Sequence, residues 1–375
     1  MPTLSARTLI TAIGTIAYPV IEVDSAGLIT DISSDPTIRS ESTLTPTFVD
    51  IHIHGAAGQD IMHATPAALG IMQRFLARRG TARYLPTTVT ASIKDTLQAL
   101  NSLAEVIEAP TPNDQATPIG IHLEGPFLSH AKRGVHSAEL LQPPTIALFD
   151  RFQQAACGHI RLITLAPEVP SALELIAHAT QQGIRVSLGH SNATAAETQA
   201  AIAAGATSAT HTFNAMRPLD HRESGSILGT VLDDPSLFAD LICDGIHVTP
   251  TMVRLWWKLK QQRAILITDA IAATGMPDGP TTLAGLPVTV ANGRASLTAH
   301  PQTLAGSVLT LDRAVANLMR FTGCALEDAV RAASSHPLVM LGLDESTRPG
   351  QPASFNQFSP TGELQQTFLF GQALR

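Results

Sequence analysis

Two hydrophobic periods share this chain. Short apolar runs end in polar residues, and most are followed by Ala/Leu-rich stretches of helical period. The runs read as strands are Phe48–Ile53, Ala82–Pro86, Ile119–Leu123, Ile160–Leu165, Arg185–Leu188, Ser208–Thr210, Ala239–Ile242 and Ala264–Thr268. Helices are expected at Pro66–Arg79, Ile93–Ile107, Thr145–Ala156, Ala172–Gln182, Ala195–Ala203 and Thr249–Lys260. A long Gly- and Pro-containing loop, Ala215 to Pro235, replaces a clear helix after the sixth strand. Strands alternating with helices imply a parallel sheet. Eight of them predict an α/β fold, a closed (β/α)8 TIM-like barrel.

The flanks carry a different pattern. Tyr18–Val23 and Leu28–Ser33 near the start, and Ala353–Phe358 and Gln365–Leu369 near the end, look like short strands. A small β-sandwich domain built from both chain ends is expected, from residues 1–46 and 336–375, around a barrel at 47–335. Within the barrel region, about 277–300 reads as a β-like excursion with strands near Leu286–Val290 and Ala295–Leu297. Leu309–Phe321 and Ala325–Ala333 look helical.

Composition narrows the function. The hydrophobic fraction is 44%, the charged fraction 15% and the net charge −7, which is a globular profile and argues against a nucleic-acid or membrane-surface binder. An anionic ligand would need a local cationic pocket. Cys157, Cys243 and Cys324 form no Cys-x-x-Cys, so neither a disulfide framework nor a zinc ribbon is indicated. No signal-peptide pattern opens the chain, and Leu9 to Val23 is too short and polar to span a bilayer. The expected location is cytoplasmic.

The candidate chemistry lies at the strand ends. In an extended Val49–His54, His52 and His54 share one face while Val49, Ile51 and Ile53 share the other. Gly55 then lets the chain turn. Glu124 ends the third strand, His190 the fifth, His211 the sixth and Asp269 the eighth. His247 follows the seventh. The C-terminal rim of such a barrel gathers its residues into one site. Imidazoles and carboxylates together there predict a divalent-metal centre for zinc, iron, manganese or cobalt.

The runs His52-Ile53-His54, His122-Leu123-Glu124-Gly125-Pro126-Phe127 with Gly134-Val135-His136, Gly189-His190-Ser191-Asn192-Ala193, His211-Thr212-Phe213-Asn214-Ala215-Met216 and Thr268-Asp269-Ala270 occur in that order. Together they resemble the amidohydrolase superfamily, and within it the N-acetylglucosamine-6-phosphate deacetylase family. The resemblance implies a barrel with a β-sandwich and hydrolysis of the acetamide on a phosphorylated amino sugar, in amino-sugar catabolism or cell-wall sugar recycling. It implies that Glu124, His190 and His211 hold the main ion. His52 and His54 are candidates for a second ion bridged by Glu124, or support a single one. Asp269 is expected to be the general base and acid. His136 is implied as an oxyanion stabiliser, and Val135, Asn214, Ala215, His247, Leu304, Gly306 and Ser307 as substrate contacts. Arg222 is implied to bind phosphate in the neighbouring subunit's site, hence a homodimer. Lys132 and Arg133 read as solvated loop residues, and His122 and His178 as structural.

The chain departs from that family at His221 and Ser224 in the arginine loop, at Pro46-Thr47-Phe48 before the first strand, and at Ala353-Ser354-Phe355 near the end. Three alternatives compete with the gluco-sugar reading. One is the same reaction on N-acetylgalactosamine 6-phosphate. Another is hydrolysis of a cyclic amide, for which a bridging lysine at a strand end would be expected. The third is a silent sugar-phosphate sensor, which would normally lack Asp269 or a metal ligand.

Overall fold

The computed structural model describes residues 3–63, 65–222, 225–344 and 347–374. Eight parallel strands form the barrel: β1 (Phe48–Ile53), β2 (Thr81–Thr88), β3 (Ile121–Glu124), β4 (Ile160–Leu165), β5 (Arg185–Leu188), β6 (Ser208–Ala209), β7 (Phe238–Ile242) and β8 (Ala264–Ile267). They pair in chain order from β1 to β8. The circle closes at one parallel bridge, Ile53 to Ala270. The Asp269 N–H donates to the His52 carbonyl at 2.9 Å, and the His54 N–H to the Ala270 carbonyl at 2.8 Å. Buried Asp50 reinforces the seam, accepting from the Thr268 hydroxyl at 2.6 Å and from the His52 N–H at 3.2 Å. The seam thus lies directly beneath the strand-one histidines.

The outer ring comprises α1 (Pro66–Arg78), α2 (Ile93–Glu108), α3 (Ile146–Ala155), α4 (Ala172–Gln181), α5 (Ala195–Ala204), α6 (Ile227–Asp233) and α7 (Pro250–Lys260). Local chemistry starts many of them. Thr65, Ser92 and Thr145 each cap the third N–H of their helix, and Thr194 forms a capping box with Glu197.

Helix α6 replaces part of the loop expected from Ala215 to Pro235. Ser226 caps it, Ile227, Leu228, Val231 and Leu232 are buried, and the Lys260 ammonium donates to the Val231 and Asp234 carbonyls at 2.9 and 2.6 Å. Its short length and flanking glycine and proline masked the helical period. Its C-terminal carbonyls find their donor only in tertiary contact.

Three more helices, α8 (Leu311–Thr322), α9 (Leu326–Ala333) and α10 (Ser335–Leu341), follow. The expected start of the C-terminal β segment at 336 falls inside α10, whose Leu338, Met340 and Leu341 join the barrel core. The first strand after it is Phe355–Phe358.

Both chain ends share one six-stranded sheet: Gln372–Ala373, Leu364–Leu369, Phe355–Phe358, Thr43–Pro46, Thr8–Thr11 and Gly14–Ala17. A three-stranded sheet of Thr3–Ser5, Pro19–Val23 and Ile29–Ser34 completes the small β region. Leu9, Ile21, Val23, Ile29, Leu44 and Phe355 form their common core.

The excursion is an antiparallel four-stranded sheet: Gly279–Leu283, Leu286–Ala291, Arg294–Leu297 and His300–Leu304. Its Leu283, Val288, Val290 and Ala295 pack with Val89 and Ile271 at the top of the barrel. That contact brings the sheet over the C-terminal rim.

Candidate active site

Strands β5, β6 and β8 end in the same way. Two residues beyond each last strand residue stands a side chain of the site: His190, His211 and Asp269. Each of the three has a left-handed backbone, with φ of 48°, 32° and 50°. Few non-glycine residues adopt that region, and those that do cluster where structure over-determines them. The turn redirects a side chain that would otherwise follow the strand. His52 and His54 need no such device, because alternation along β1 already aims them together.

Glu124 is the centre of the cluster. Its Oε1 lies 3.4 Å from His52 Nε2, 3.2 Å from His190 Nε2 and 3.3 Å from His211 Nε2. Its Oε2 lies 3.3 Å from His54 Nε2 and 3.7 Å from His136 Nε2. Asp269 Oδ1 approaches His54 Nε2 at 3.1 Å and His52 Nε2 at 3.7 Å. Two groups are spaced to hold ions, His52–His54–Glu124 and Glu124–His190–His211, each with ligand atoms within 4.8 Å of one another. They share Glu124.

The donor set fits divalent cations. His54 Nδ1–H donates to the Thr87 carbonyl at 3.1 Å, and His190 Nδ1–H to the Lys132 carbonyl at 3.0 Å. Both rings therefore aim bare Nε2 lone pairs inwards, the arrangement that carbonyl partners impose on ligating histidines. Lone pairs facing a carboxylate repel unless a positive charge lies between them. Protons can supply it. Burial works to lower His54 and His211, but the adjacent carboxylates win: Asp269 and Glu124 raise His54 to about 10, and Glu124 raises His211 to about 9. Burial would raise both acids, yet the imidazoles dominate. His52 and its neighbours hold Glu124 well below the carboxylate range, and His54 holds Asp269 at about 2. Metal ligation replaces protons at such sites.

His136 behaves differently. The Thr90 backbone N–H donates to His136 Nδ1 at 3.3 Å, and the Thr90 hydroxyl lies 2.8 Å from the same atom. A backbone N–H only donates, so Nδ1 carries the lone pair and the neutral ring carries its proton on Nε2. Burial, helped by His190, lowers this imidazole to about 3, so it is neutral near pH 7. Its Nε2–H is therefore a neutral donor beside the Glu124 carboxylate.

These residues line a cavity of about 400 Å³. Of the expected site residues, His54, Glu124, Val135, His136, His190, His211, Asn214, Ala215, His247, Asp269, Leu304 and Gly306 face it. His52 is fully buried behind them. Ser307 is also buried, and its hydroxyl donates to the Thr268 carbonyl at 2.6 Å, so it ties down the strand-eight end and does not line the cavity. Gly306 has φ of 59°, and a Cβ there would sit 2.5 Å from Ile271 Cγ2 and 2.9 Å from the Asp269 carbonyl. Arg222 is exposed and off the cavity wall; Glu223 and Ser224 beside it lie outside the described residues. His247 is oriented by Asp244, whose carboxylate accepts its Nδ1–H at 2.7 Å.

Val89, Lys132, Leu283 and Gln302 also line the cavity, unforeseen from the sequence. Leu283 and Gln302 come from the excursion, where no local motif marks them. Lys132 forms a small basic spot with Arg133 in the sequence, but reads there as a solvated loop residue. Buried His122 is structural as expected: its Nδ1–H donates to the Ile51 carbonyl at 2.9 Å and its Nε2 lies 2.8 Å from the Thr164 hydroxyl.

The sequence model of the amidohydrolase family matches residues 43–374. The chain belongs to the amidohydrolase family. It is a hydrolase. Its relatives include an N-acetylgalactosamine-6-phosphate deacetylase of Escherichia coli O157:H7, 38% identical over 375 residues and covering 98% of each chain. An N-acetylglucosamine-6-phosphate deacetylase of Bacillus subtilis (strain 168) is 39% identical over 306 residues, 81% of this chain and 76% of that one. The solved structure of a Mycobacterium smegmatis N-acetyl-D-glucosamine-6-phosphate deacetylase variant, in complex with N-acetyl-D-glucosamine-6-phosphate, superposes with a TM-score of 0.92 at 31% identity over 99% of this chain and 98% of that one. Among the described residues of this amidohydrolase, no helix is long and apolar enough to cross a membrane.

Proposed function

We propose that this amidohydrolase removes the acetyl group of N-acetyl-D-glucosamine 6-phosphate, giving D-glucosamine 6-phosphate and acetate. The observation that carries this reading is the sharing of Glu124 between the two imidazole pairs, with Asp269 beside them at the cavity wall. Relatives of both the gluco and galacto type catalyse this kind of deacetylation by name, and both match along most of the chain.

The proposed work divides among named residues. Glu124, His190 and His211 would hold the main divalent ion, and His52 and His54, together with Glu124, a second one. Such an ion supplies Lewis acidity, polarising the amide carbonyl and making water a better nucleophile near pH 7. Asp269, ionised at pH 7, accepts a proton from the attacking water as the new C–O bond forms. It then delivers that proton to the nitrogen as the C–N bond breaks, so the amine leaves neutral. The His136 Nε2–H donates to the carbonyl oxygen as negative charge develops there. Asn214 and Ala215 take the phosphate end, His247 a sugar hydroxyl or the phosphate, and Leu304 and Gly306 wall the acetyl group. Arg222 reaches the neighbouring subunit's site in a homodimer, where its guanidinium forks onto the phosphate. Metabolism of amino sugars in the cytoplasm is the setting that fits this chemistry.

The galacto epimer is the second reading, favoured by the end-to-end match to a galactosamine-type relative. A cyclic-amide substrate has less support, because no barrel strand ends in lysine. The deciding experiment measures acetate release by metal-reconstituted protein from the gluco sugar phosphate, its galacto epimer and unphosphorylated N-acetylglucosamine. Fast release from the phosphorylated gluco sugar is expected. Faster release from the galacto epimer selects the second reading, and no release from any of the three rejects deacetylation.

A further inference from the structure

Lys132 is the sole lysine or arginine among the described residues lining the cavity. Its ammonium makes no hydrogen bond or ion pair among the described residues. The adjacent Arg133 differs: its guanidinium donates to the His136 carbonyl at 2.8 Å and so holds the loop. One basic residue of the pair is spent on structure, and the other is free to meet a ligand.

The backbone places Lys132 beside the end of β5. The Lys132 carbonyl accepts from His190 Nδ1–H at 3.0 Å, and the Lys132 N–H donates to the Ser129 carbonyl at 3.1 Å. The Ser129 N–H in turn donates to the His190 carbonyl at 3.0 Å. On its other side the same segment pairs with the Asn214–Ala215 turn, through the Ser191 N–H on the Ala215 carbonyl at 3.0 Å and a Ser191–Met216 bridge. Lys132 and Asn214–Ala215 therefore flank one short stretch of chain, His190–Ser191, and all of them line the cavity except Ser191.

Charge makes this placement matter. The chain carries −7, and the cavity itself contains Glu124 and Asp269. The imidazole–carboxylate cluster and its ions act on the acetamide, so the phosphate end, with the neutral donors Asn214 and Ala215, still calls for a cation of its own. We propose that Lys132 is a substrate-binding residue, the cation supplied by the same subunit to the phosphate of the sugar. This rests on the phosphorylated-sugar reading above. It differs from the Arg222 assignment, which draws on a neighbouring subunit and is lost in a monomer. A lysine acts here as a flexible point charge, suited to a loop of the cavity wall.

The test compares the wild-type protein, Lys132→Met and Lys132→Arg, each metal-loaded, on phosphorylated and unphosphorylated N-acetylglucosamine. Methionine keeps the length of the stem and leaves the backbone carbonyl on His190 intact. The ratio of kcat/KM for the phosphorylated over the unphosphorylated sugar is expected to fall about 10- to 100-fold in Lys132→Met, through KM, the size of one charge-assisted contact. Lys132→Arg is expected to recover most of it. An unchanged ratio in Lys132→Met, or equal losses on both sugars, overturns the proposal. Titration of inorganic phosphate into the same proteins separates this failure from failure of the substrate reading. If the wild type does not prefer the phosphorylated sugar, that reading fails, and Lys132 stands only if Lys132→Met binds inorganic phosphate about 10-fold or more weakly.

Discussion

The two imidazole pairs around Glu124 have the same ligand chemistry but different construction. His52 and His54 come from one straight strand, and period-two alternation alone sets them side by side, with Nε2 atoms 3.1 Å apart. His190 and His211 come from separate strands, and each needs a left-handed residue beyond its strand end to bring their Nε2 atoms to 3.0 Å. The first pair is local and needs only an extended backbone. The second is assembled, and the closed barrel must hold the strain. The assembled pair also faces the cavity, whereas His52 lies buried behind it. Local construction thus supplies one inner residue, His52, and one cavity-lining residue, His54, whereas both histidines of the assembled pair line the cavity.

Asp269 belongs to the strained set but touches the strand-one pair, so it joins the two halves. Asp269→Asn is expected to lower kcat by about 10²- to 10⁴-fold, the usual scale for a lost general acid–base. Metal content, read by elemental analysis, is expected to survive. Near-wild-type turnover would remove the proton-transfer role.

The halves are expected to separate next. His190→Asn or His211→Asn removes the main ion and about 10²-fold or more of the activity, since the ion's charge stabilisation is worth several kcal/mol. The double variant His52→Asn/His54→Asn is expected to lose one ion of two and keep more activity than either. The reverse ranking would make the strand-one pair the principal site, and unchanged metal stoichiometry would make it a support for a single ion.

Arg222→Ala is a smaller effect, outside both halves. It is expected to raise KM about 10- to 100-fold for the phosphorylated sugar and far less for the unphosphorylated one. Equal effects would withdraw the phosphate assignment.

The last test reads protons. His54 at about 10 and His211 at about 9 are charged at pH 7 in the metal-free protein, one from each pair. Zinc uptake at pH 7 is therefore expected to release protons from both halves. As pH rises through those values the rings are already deprotonated, and the release falls. Calorimetry in buffers of different ionisation enthalpy measures it. No proton release at pH 7 would contradict the shared-carboxylate electrostatics.

Much of the candidate site was legible because its residues sit at fixed steps from strand ends. The barrel followed from alternating strands and helices, and Glu124, His190, His211 and Asp269 from their positions at the rim. Other features were not legible. Ser226 and its buried apolar residues form α6 where glycine and proline suggested a loop, and α10 carries helix past the expected start of the terminal β segment. Ser307 was expected to touch substrate but spends its hydroxyl on the Thr268 carbonyl. Lys132 was expected to be solvated but lines the cavity.

What the amino-acid order determined by itself is the local part: the strand and helix periods, the identity of each candidate ligand, and the common face of His52 and His54. These depend on residue chemistry and on a backbone repeat a few residues long. Only the tertiary structure decided that Glu124 serves both pairs, that a Thr90 N–H puts the His136 proton on Nε2, and that Leu283 and Gln302 wall the cavity. Each of those depends on a distance between segments far apart in sequence. Such distances exist only once the sheet has closed on itself and the excursion has packed over its rim.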